Sequence, residues 1–225
     1  MKVQVLKNIA SANDAIAAQN KQLFDIHRIL AINLMSSPGS GKTSVILQTA
    51  KHSAEKLNLA VIEGDIASKV DADKIGKEGI PVVQINTGGS CSLQANMVEN
   101  ALSKLPLQKT DVLIIENVGN LICPAGFDLG EHKRVIISSI PEGDDKPLKY
   151  PVIFTDADAV IINKMDLMPH FDFDLTSFRR HIRGLNPKVK FFEVSCKTGD
   201  GIAEWYSWLS KQTRDKQNAK IRTSQ

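Results

Sequence analysis

Seven short apolar segments recur along the chain, and most of them are separated by stretches long enough for a helix. They cover residues Ile29–Met35, Leu59–Glu63, Pro81–Asn86, Asp111–Glu116, Arg134–Ile140, Ala159–Asn163 and Val189–Ser195. Apolar strands that alternate with helices indicate a parallel sheet buried on both faces. The sequence therefore predicts an α/β protein with a mainly parallel sheet of about seven strands flanked by helices. In such sheets ligands bind at the carboxyl ends of the strands.

Helices are predicted before the first strand and between most of the others. The leading helix covers Asn13–Arg28, with Asn13 or Ser11 as its N-cap, because Ile16, Leu23 and Phe24 recur at helical spacing. The remaining predicted helices are Thr43–Lys56, Ile66–Lys77, Ser92–Lys104, Phe173–Arg183 and Gly201–Ser210. We expect residues 1–28 to pack on a single domain over residues 29–210. We expect residues 211–225, which lack periodicity, to form a basic, flexible tail.

The charge and the cysteine count narrow the class of protein. The 225 residues include 28 basic and 25 acidic side chains, for a net charge of +3. Residues 211–225 hold five of the basic side chains and one acidic side chain, which leaves 23 and 24 for residues 1–210. The balanced body argues against a nucleic-acid partner. Three cysteines make no disulfide framework, and the sequence shows neither a signal peptide nor a membrane span. We expect a cytoplasmic protein without a membrane partner.

A glycine-rich loop follows the first predicted strand and opens a predicted helix. It reads Ser-Ser-Pro-Gly-Ser-Gly-Lys-Thr over residues 36–43, and it departs from G-x-x-x-x-G-K-[ST] at Ser36. Such a loop binds phosphates with its backbone N–H groups and the helix N-terminus. Lys42 would reach the β- and γ-phosphates, and the Thr43 hydroxyl would hold magnesium. The predicted nucleotide-binding residues here are Gly39, Ser40, Gly41, Lys42, Thr43 and Ser44.

A second motif, Asn163-Lys-Met-Asp166, follows the sixth predicted strand. The carboxylate of Asp166 would accept two hydrogen bonds from the guanine ring N–H and amino group, a pair of donors that adenine lacks. Lys164 would lie over the base. Ser195-Cys196-Lys197, after the last strand, resembles the companion loop that contacts the guanine carbonyl. The order of these motifs predicts a P-loop NTPase that selects guanine nucleotides, GTP and GDP.

Two carboxylates at strand ends complete the predicted magnesium shell with Thr43. Asp65 ends Glu-Gly-Asp, and Glu116 begins Glu-Asn-Val-Gly119, which resembles the D-x-x-G of other GTPases. Magnesium prefers oxygen ligands in this position. We expect Lys42, Asp65 and Glu116 to carry catalysis. No glutamine follows Gly119 to orient a water, so we expect slow hydrolysis, as in a switch.

The motifs together closely resemble the HypB family of GTPases, from about Ile29 to Leu209. The most specific stretches are Glu-Asn-Val-Gly-Asn-Leu-Ile-Cys-Pro, within residues 115–124, and Pro-Glu-Gly-Asp-Asp-Lys-Pro-Leu-Lys-Tyr-Pro, over residues 141–151. The resemblance implies a GTP-favoured homodimer that helps to insert nickel during [NiFe]-hydrogenase maturation. It also implies a HypA-like nickel protein and the hydrogenase large subunit as partners. By the same resemblance, Lys146 is expected to contact the partner's phosphates at the dimer interface.

The resemblance places a nickel or zinc site at Cys91 and Cys123. The family's histidine position is Ser92 and its acidic position is Gln94; an N-terminal cysteine motif and a histidine-rich stretch of some members are absent from the sequence. Three interpretations stay open. Cys91 and Cys123 of two protomers form a four-thiolate site, or His132 or another side chain replaces the missing imidazole, or metal binding has been lost. Cys196 is interpreted as a packing residue.

Alternative functions follow from the altered metal positions. One is a nucleotide-responsive scaffold, or a GTPase of the same family that binds no metal and serves a different client. Another is an ATPase of the partitioning or kinase-like kind, which would require ATP to compete with GTP.

Overall fold

The computed structural model describes residues 9–53 and 57–219. Seven parallel strands form one sheet in the order β3-β2-β4-β1-β5-β6-β7. The strands are β1 Leu30–Ser36, β2 Leu59–Asp65, β3 Val82–Asn86, β4 Val112–Glu116, β5 Lys133–Ser139, β6 Ala159–Asn163 and β7 Lys190–Glu193. Each overlaps its predicted segment, so the prediction of a parallel α/β sheet of about seven strands is confirmed.

Within the described residues, eight α-helices connect and cover the strands. They are α1 Ile9–Ile26, α2 Lys42–Ser53, α3 Val70–Lys77, α4 Ala95–Leu102, α5 Lys146–Lys149, α6 Pro151–Thr155, α7 Leu175–Leu185 and α8 Ile202–Asn218. Short 3₁₀ turns lie at Leu107–Lys109, Cys123–Gly126, Ile140–Glu142 and Met165–His170. None of the helices in the described ranges combines the length and the apolar character needed to cross a bilayer.

Alternating residues of the central strands face two different helical layers. Leu30, Ile32 and Leu34 of β1 join the core beneath α2 and α8, together with Trp205. Ala31 of β1 belongs to the opposite core, beneath α1 and α4. A third core, built around β6, α6 and α7, fills the other half of the molecule. Residues of one strand with even and odd numbers therefore lie on opposite faces of the sheet.

The N-cap prediction for the first helix is wrong. Helix α1 covers Ile9–Ile26, so Ser11 and Asn13 both lie inside it. The buried Asn13 side chain instead accepts a hydrogen bond from the backbone N–H of Ala95 at 2.9 Å and donates to the carbonyl of Asp128 at 2.8 Å. The Asn13 amide therefore bonds to backbone groups distant in sequence and not to the N-terminus of its own helix, and local sequence patterns do not reveal such partners.

The prediction of a flexible tail is also wrong for residues 211–218. Helix α8 continues to Asn218, with Thr213 fully buried. The Gln217 amide donates to the Asp111 carboxylate at 2.8 Å, and Lys216 forms an ion pair with Asp25. Long-range polar contacts thus order a segment that has little apolar periodicity of its own. Residues 220–225 of the predicted tail, and residues 1–8 of the predicted N-terminal segment, lie outside the described residues.

Candidate functional site

The glycine-rich loop joins the end of β1 to the start of α2, as its sequence predicts. The Lys42 ammonium donates to the Ser36 hydroxyl at 3.1 Å, and the Ser40 hydroxyl donates to the Ser37 carbonyl at 2.9 Å. Gly39 and Gly41 have φ values of +77° and +98°. Positive φ is readily adopted by glycine, so these two residues allow the chain to curl. The loop places Lys42 and Thr43 in the first turn of α2, at the helix end that favours anions.

The guanine-recognition motif lies directly against this loop. The Asn163 amide donates to the Ser40 carbonyl at 2.9 Å, and the Lys164 ammonium donates to the Gly39 carbonyl at 2.8 Å. Lys164 itself adopts a left-handed conformation with φ +61°. The two loops, predicted separately, therefore meet at the carboxyl ends of β1 and β6.

Beside that junction lies a cleft of about 560 Å³. Its lining includes Gly41 and Ser44 of the phosphate loop together with Asp166, Cys196 and Lys197. The Ser195 hydroxyl donates to the Asp166 carboxylate at 2.6 Å and thereby fixes its orientation. The cleft is of the size that holds a small ligand, and its lining combines a carboxylate with a phosphate-type loop.

The two predicted magnesium carboxylates have different environments. The Glu116 carboxylate is 3% exposed and accepts the Thr43 hydroxyl at 3.0 Å, while its Oε2 has no hydrogen-bond partner among the described residues. Burial raises the pKa of Glu116 to about 7, against the opposing influence of Lys42 and Thr43. The structure thus brings Glu116 and Thr43 together and leaves Glu116 Oε2 able to accept a further hydrogen bond or bind an ion.

Asp65 lies at the end of β2 and shapes the following turn. Its Oδ1 accepts the backbone N–H groups of Ala67 at 2.9 Å and Ser68 at 3.0 Å. These hydrogen bonds lower the pKa of Asp65, so the carboxylate is ionised at neutral pH. The turn also explains why α3 begins at Val70 and not at the predicted Ile66.

Glu63 is a buried acidic residue of this region that the sequence-based prediction of the site omitted. It is 2% exposed, lies opposite Glu116 in the register of β2 and β4, and leaves Oε2 without a partner among the described residues. Burial, together with the nearby Glu116 charge, raises the pKa of Glu63 to about 8. The sequence feature that could have identified Glu63 is an acidic residue within an apolar strand segment, because buried acidic residues are rare unless the charge has a partner.

Cys91 and Cys123 of one chain lie on the loops after β3 and β4. The two side chains are close enough for Cys123 to raise the pKa of the exposed Cys91 thiol. Asn120 fixes the junction by donating from its amide to the Cys91 carbonyl at 3.3 Å. In residues 9–53 and 57–219 no group of three or more His, Cys, Asp or Glu side chains gathers as a metal site would require. Within the described residues, one chain therefore supplies only the thiols of Cys91 and Cys123 to the predicted metal site.

Known proteins match both the sequence and the fold. The family model for the CobW/HypB/UreG nucleotide-binding domain matches residues 30–193. Hydrogenase maturation factor HypB of Azotobacter vinelandii is 45% identical over 219 residues, which are 97% of this chain and 72% of that protein. Hydrogenase/urease maturation factor HypB of Helicobacter pylori is 39% identical over 95% of this chain and 89% of that protein.

The chain belongs to the HypB family. The crystal structure of HypB from Helicobacter pylori in complex with nickel superposes with a TM-score of 0.88 at 38% identity, covering 95% of this chain and 100% of that chain. HypB from Archaeoglobus fulgidus gives a TM-score of 0.84 at 37% identity, covering 90% and 99%. The predicted family is confirmed, and with it a nucleotide-binding domain of the P-loop GTPase class.

Within this HypB-family chain, His132 does not replace the missing imidazole, so the His132 part of that interpretation is wrong. His132 directly precedes β5, so it lies at the amino ends of the strands, whereas Cys91 and Cys123 follow the carboxyl ends of β3 and β4. Its Nδ1 accepts the backbone N–H of Ala31 at 3.0 Å, and its Nε2 contacts the Asp25 carboxylate at 3.0 Å. Both ring nitrogens are therefore engaged in holding α1 and β1 together.

Ser92 and Gln94, at the positions where the HypB family carries histidine and an acidic residue, lie at the start of the α4 region. Ser92 is 2% exposed, and Gln94 is the residue before α4. The predicted start of this helix at Ser92 is wrong, because residues 91–94 form an irregular turn held by the Asn117 side chain, which accepts the Leu93 N–H at 3.0 Å.

Cys196 and Lys146 complete the set of predicted residues. The Cys196 side chain packs against the core beneath α2 and α8, and burial raises its pKa to about 11. Its backbone carbonyl accepts the Gln48 amide at 2.7 Å, so the residue packs while its main chain borders the cleft. Lys146 begins α5, half-buried, with its ammonium 5.8 Å from the centre of the Tyr150 ring.

Proposed function

We propose that this protein binds and slowly hydrolyses GTP with magnesium, and that GTP favours a homodimer that delivers nickel during [NiFe]-hydrogenase maturation. The observation that carries the proposal is the single cleft lined both by Gly41 and Ser44 of the phosphate loop and by Asp166, whose carboxylate is fixed by Ser195. A carboxylate in that position accepts the paired N–H donors of guanine, and adenine offers no such pair. The lining thus supports GTP over ATP.

The phosphate side of the cleft supports a triphosphate with magnesium. Lys42 would contact the β- and γ-phosphates, and Thr43, Asp65 and Glu116 would hold the ion directly or through water. The donor set fits magnesium, since a hydroxyl and two carboxylates are hard oxygen ligands and the buried Oε2 of Glu116 lacks a partner among the described residues. Magnesium, once bound, neutralises charge that develops on the transferred phosphoryl group.

The absence of a glutamine after Gly119 supports slow intrinsic turnover. Water-orienting glutamine accelerates hydrolysis in other GTPases, and the stretch Asn120–Leu121–Ile122 offers an amide only at Asn120. The Asn120 amide already donates to the Cys91 carbonyl at 3.3 Å. We propose that Asn120 thereby links the nucleotide-dependent loop after β4 to the cysteine pair. A slow cycle suits a switch that times cargo release.

Two adjacent thiols in each chain support nickel or zinc as cargo. Cys91 and Cys123 of one protomer would give two thiolates, and the same pair of a second protomer would complete four ligands, a number that zinc and nickel accept. Lys146 would approach the partner's phosphates across the same interface. The relatives named as hydrogenase maturation factors support a HypA-like nickel protein and the hydrogenase large subunit as partners in the cytoplasm.

The nucleotide assignment is tested with Lys42→Ala and Asp166→Asn. Lys42→Ala should lower GTP hydrolysis at least roughly 100-fold. Asp166→Asn should weaken GTP binding at least roughly 100-fold while improving the binding of xanthosine triphosphate, which presents a carbonyl where guanine has an amino group. Lys188→Ala and Asp172→Asn, both exposed and neither part of the lining of the cleft, are the matched controls. Undiminished turnover by Lys42→Ala, or equal competition by ATP, would overturn the assignment.

The cargo assignment is tested by equilibrium dialysis with nickel and zinc, with and without GTP, read out per protomer. We expect one ion per two chains in the GTP state, and loss of binding in the Cys91→Ala, Cys123→Ala double variant. Cys196→Ala is the matched control, because its partly buried thiol packs against the core beneath α2 and α8, apart from the pair. Binding that survives the double variant would remove this site. An absence of binding by the unaltered protein would favour a metal-free scaffold or a GTPase with a different client.

A further inference from the structure

Glu63 has an environment that core packing does not explain. Its carboxyl group is 2% exposed in the middle of β2, and Oε2 has no hydrogen-bond partner among the described residues. An unpaired buried carboxyl oxygen costs free energy, and native proteins retain such groups where a ligand or ion completes them. Folding alone would be served better by an apolar residue at this position.

Strand register places Glu63 beside Glu116 on one face of the sheet. The two residues are direct partners in the pairing of β2 with β4. Leu59 and Val61 of β2, and Val112 and Ile114 of β4, belong to the core beneath α2. Since side chains alternate along a strand, Glu63 and Glu116 also lie on the α2 face. That is the face on which Lys42 and Thr43 begin α2.

Two carboxyl groups with free buried oxygens thus lie side by side beneath the phosphate loop. Glu116 Oε1 accepts the Thr43 hydroxyl at 3.0 Å, while Glu116 Oε2 and Glu63 Oε2 are buried acceptors without a partner among the described residues. Lys42 is the cation near both glutamates, and in the proposed complex it turns to the nucleotide phosphates. A divalent cation and its water shell would then satisfy both oxygens.

We propose that Glu63 is a positioning residue for the nucleotide-bound magnesium ion, accepting hydrogen bonds from the ion's water shell alongside Glu116. Magnesium usually keeps several waters, and groups that orient them affect metal affinity roughly 10- to 100-fold. The inference rests on the proposed function as a magnesium-dependent GTPase. It adds a residue two positions before Asp65 that binds through water and not through the phosphates.

The test compares nucleotide affinity with magnesium and with EDTA for the unaltered protein and Glu63→Gln, using a non-hydrolysable GTP analogue. The unaltered protein should bind more tightly with magnesium. Glu63→Gln should match it in EDTA but lose about 10-fold of the magnesium-dependent gain. Glu78→Gln makes the same carboxyl-to-amide change at an exposed glutamate after α3, away from the site, and should behave as the unaltered protein.

A second readout separates ion positioning from folding. Manganese, substituted for magnesium in the GDP complex, should give an altered electron paramagnetic resonance spectrum in Glu63→Gln, and thermal unfolding without nucleotide should show no loss of stability. Glu63→Asp keeps the carboxyl group on a shorter side chain, so its magnesium-dependent gain in affinity should lie between that of the unaltered protein and that of Glu63→Gln.

An equal magnesium-dependent gain in Glu63→Gln would overturn the inference while leaving GTP binding intact. Equal weakening in EDTA and magnesium, or failure of both variants to fold, would assign Glu63 to the core and also overturn it. Absence of GTP binding by the unaltered protein would reject the proposed function itself, and the inference with it.

Discussion

Glu131 and Glu116 are both buried glutamates, but they lie at opposite ends of the parallel strands. The side of the sheet where the strands begin is called the amino edge, and the side where they end is called the carboxyl edge. The two carboxyl groups differ in how many of their hydrogen-bond acceptors have a partner. At the amino edge, Glu131 accepts the Arg134 guanidinium at 2.8 Å, the Leu129 N–H at 2.7 Å and the Asn33 amide at 3.3 Å. At the carboxyl edge, Glu116 accepts Thr43 alone and leaves Oε2 unused among the described residues.

The difference indicates which edge is built for stability and which for ligand binding. Buried polar groups in native proteins are almost always paired, so a complete network contributes to the fold, and an incomplete one keeps capacity for a ligand. His132 repeats the pattern of the amino edge, with both ring nitrogens engaged by Ala31 and Asp25. Glu63 repeats that of the carboxyl edge.

The largest effect is expected where the carboxyl edge brings two loops into contact. A Cβ on Gly41 would lie 2.4 Å from the Asn163 Nδ2, at a φ of +98°. Gly41→Ala should therefore separate the phosphate loop from the guanine loop and reduce nucleotide affinity by roughly 100-fold, given about 1–3 kcal/mol of backbone strain plus the clash. Isothermal titration with GDP measures it.

Gly39→Ala is the matched control for that variant. Gly39 also has a positive φ, +77°, but a Cβ there meets no atom within 4 Å. It carries the backbone strain without the clash, so its loss of affinity should be distinctly smaller. Equal losses in the two variants would show that the Asn163 contact does not matter for binding.

Exchanging each glutamate for glutamine tests the two edges directly. Glu131→Gln should lower the free energy of unfolding by roughly 2 kcal/mol, because the Arg134 guanidinium loses a charged partner. Glu116→Gln should change stability without nucleotide by less than about 1 kcal/mol, because it breaks no ion pair, yet weaken magnesium-dependent binding. Urea unfolding and nucleotide titration give the two numbers. Similar stability losses in both variants would contradict the division between edges.

Much of the carboxyl edge could be predicted from sequence, because its chemistry is encoded in short contiguous motifs. The glycine-rich loop and Asn163-Lys-Met-Asp166 each follow an apolar strand, and the structure brings them together as that order implies. Glu63 was missed for a physical reason. Its importance comes from the register of β2 against β4, and pairing between strands distant in sequence is not visible in a single chain.

Polar contacts outside these contiguous motifs could not be predicted in the same way. Asn13 was interpreted as a helix cap, and residues after 210 as a flexible tail, because both have the local composition of such segments. Their actual partners, Ala95 for Asn13 and Asp111 for Gln217, are 82 and 106 residues away along the chain. Long-range polar contacts of this kind depend on the finished fold, and they override local preference.

A smaller effect is expected from acid at the amino edge. Burial lowers the pKa of His132 below its ordinary 6.5, although Asp25 opposes the shift. The unfolded chain therefore binds the proton more readily, so His132 makes stability fall as the pH drops from 7 through 6.5 toward its folded pKa. Protonating Nδ1 would also remove the acceptor for the Ala31 N–H.

The measurement for His132 is thermal unfolding between pH 7.5 and 5.5. His132→Gln should be less stable at pH 7.5 but should lose less on acidification than the unaltered protein. His170→Gln, an exposed histidine after β6, should retain the original slope. A slope unchanged in His132→Gln would place the acid sensitivity in other groups.

The smallest effect is expected at the end of α8, where the amino edge meets the segment interpreted as a tail. Lys216 pairs with Asp25, and Asp25 is also bonded to His132, so one carboxylate joins α1, α8 and the segment before β5. Burial alone would raise the pKa of Asp25, but its hydrogen bonds from Lys216 and His132 lower it below 3.8. Lys216→Ala should cost about 0.5–1 kcal/mol in urea unfolding, as expected for a partly exposed pair that leaves His132 in place. Lys211→Ala, one helical turn and more before it and exposed, should cost nothing measurable. If the two variants are equally stable, the end of α8 is held by Thr213 and Gln217 and not by the ion pair, and the amino edge depends less on charge than its contacts suggest.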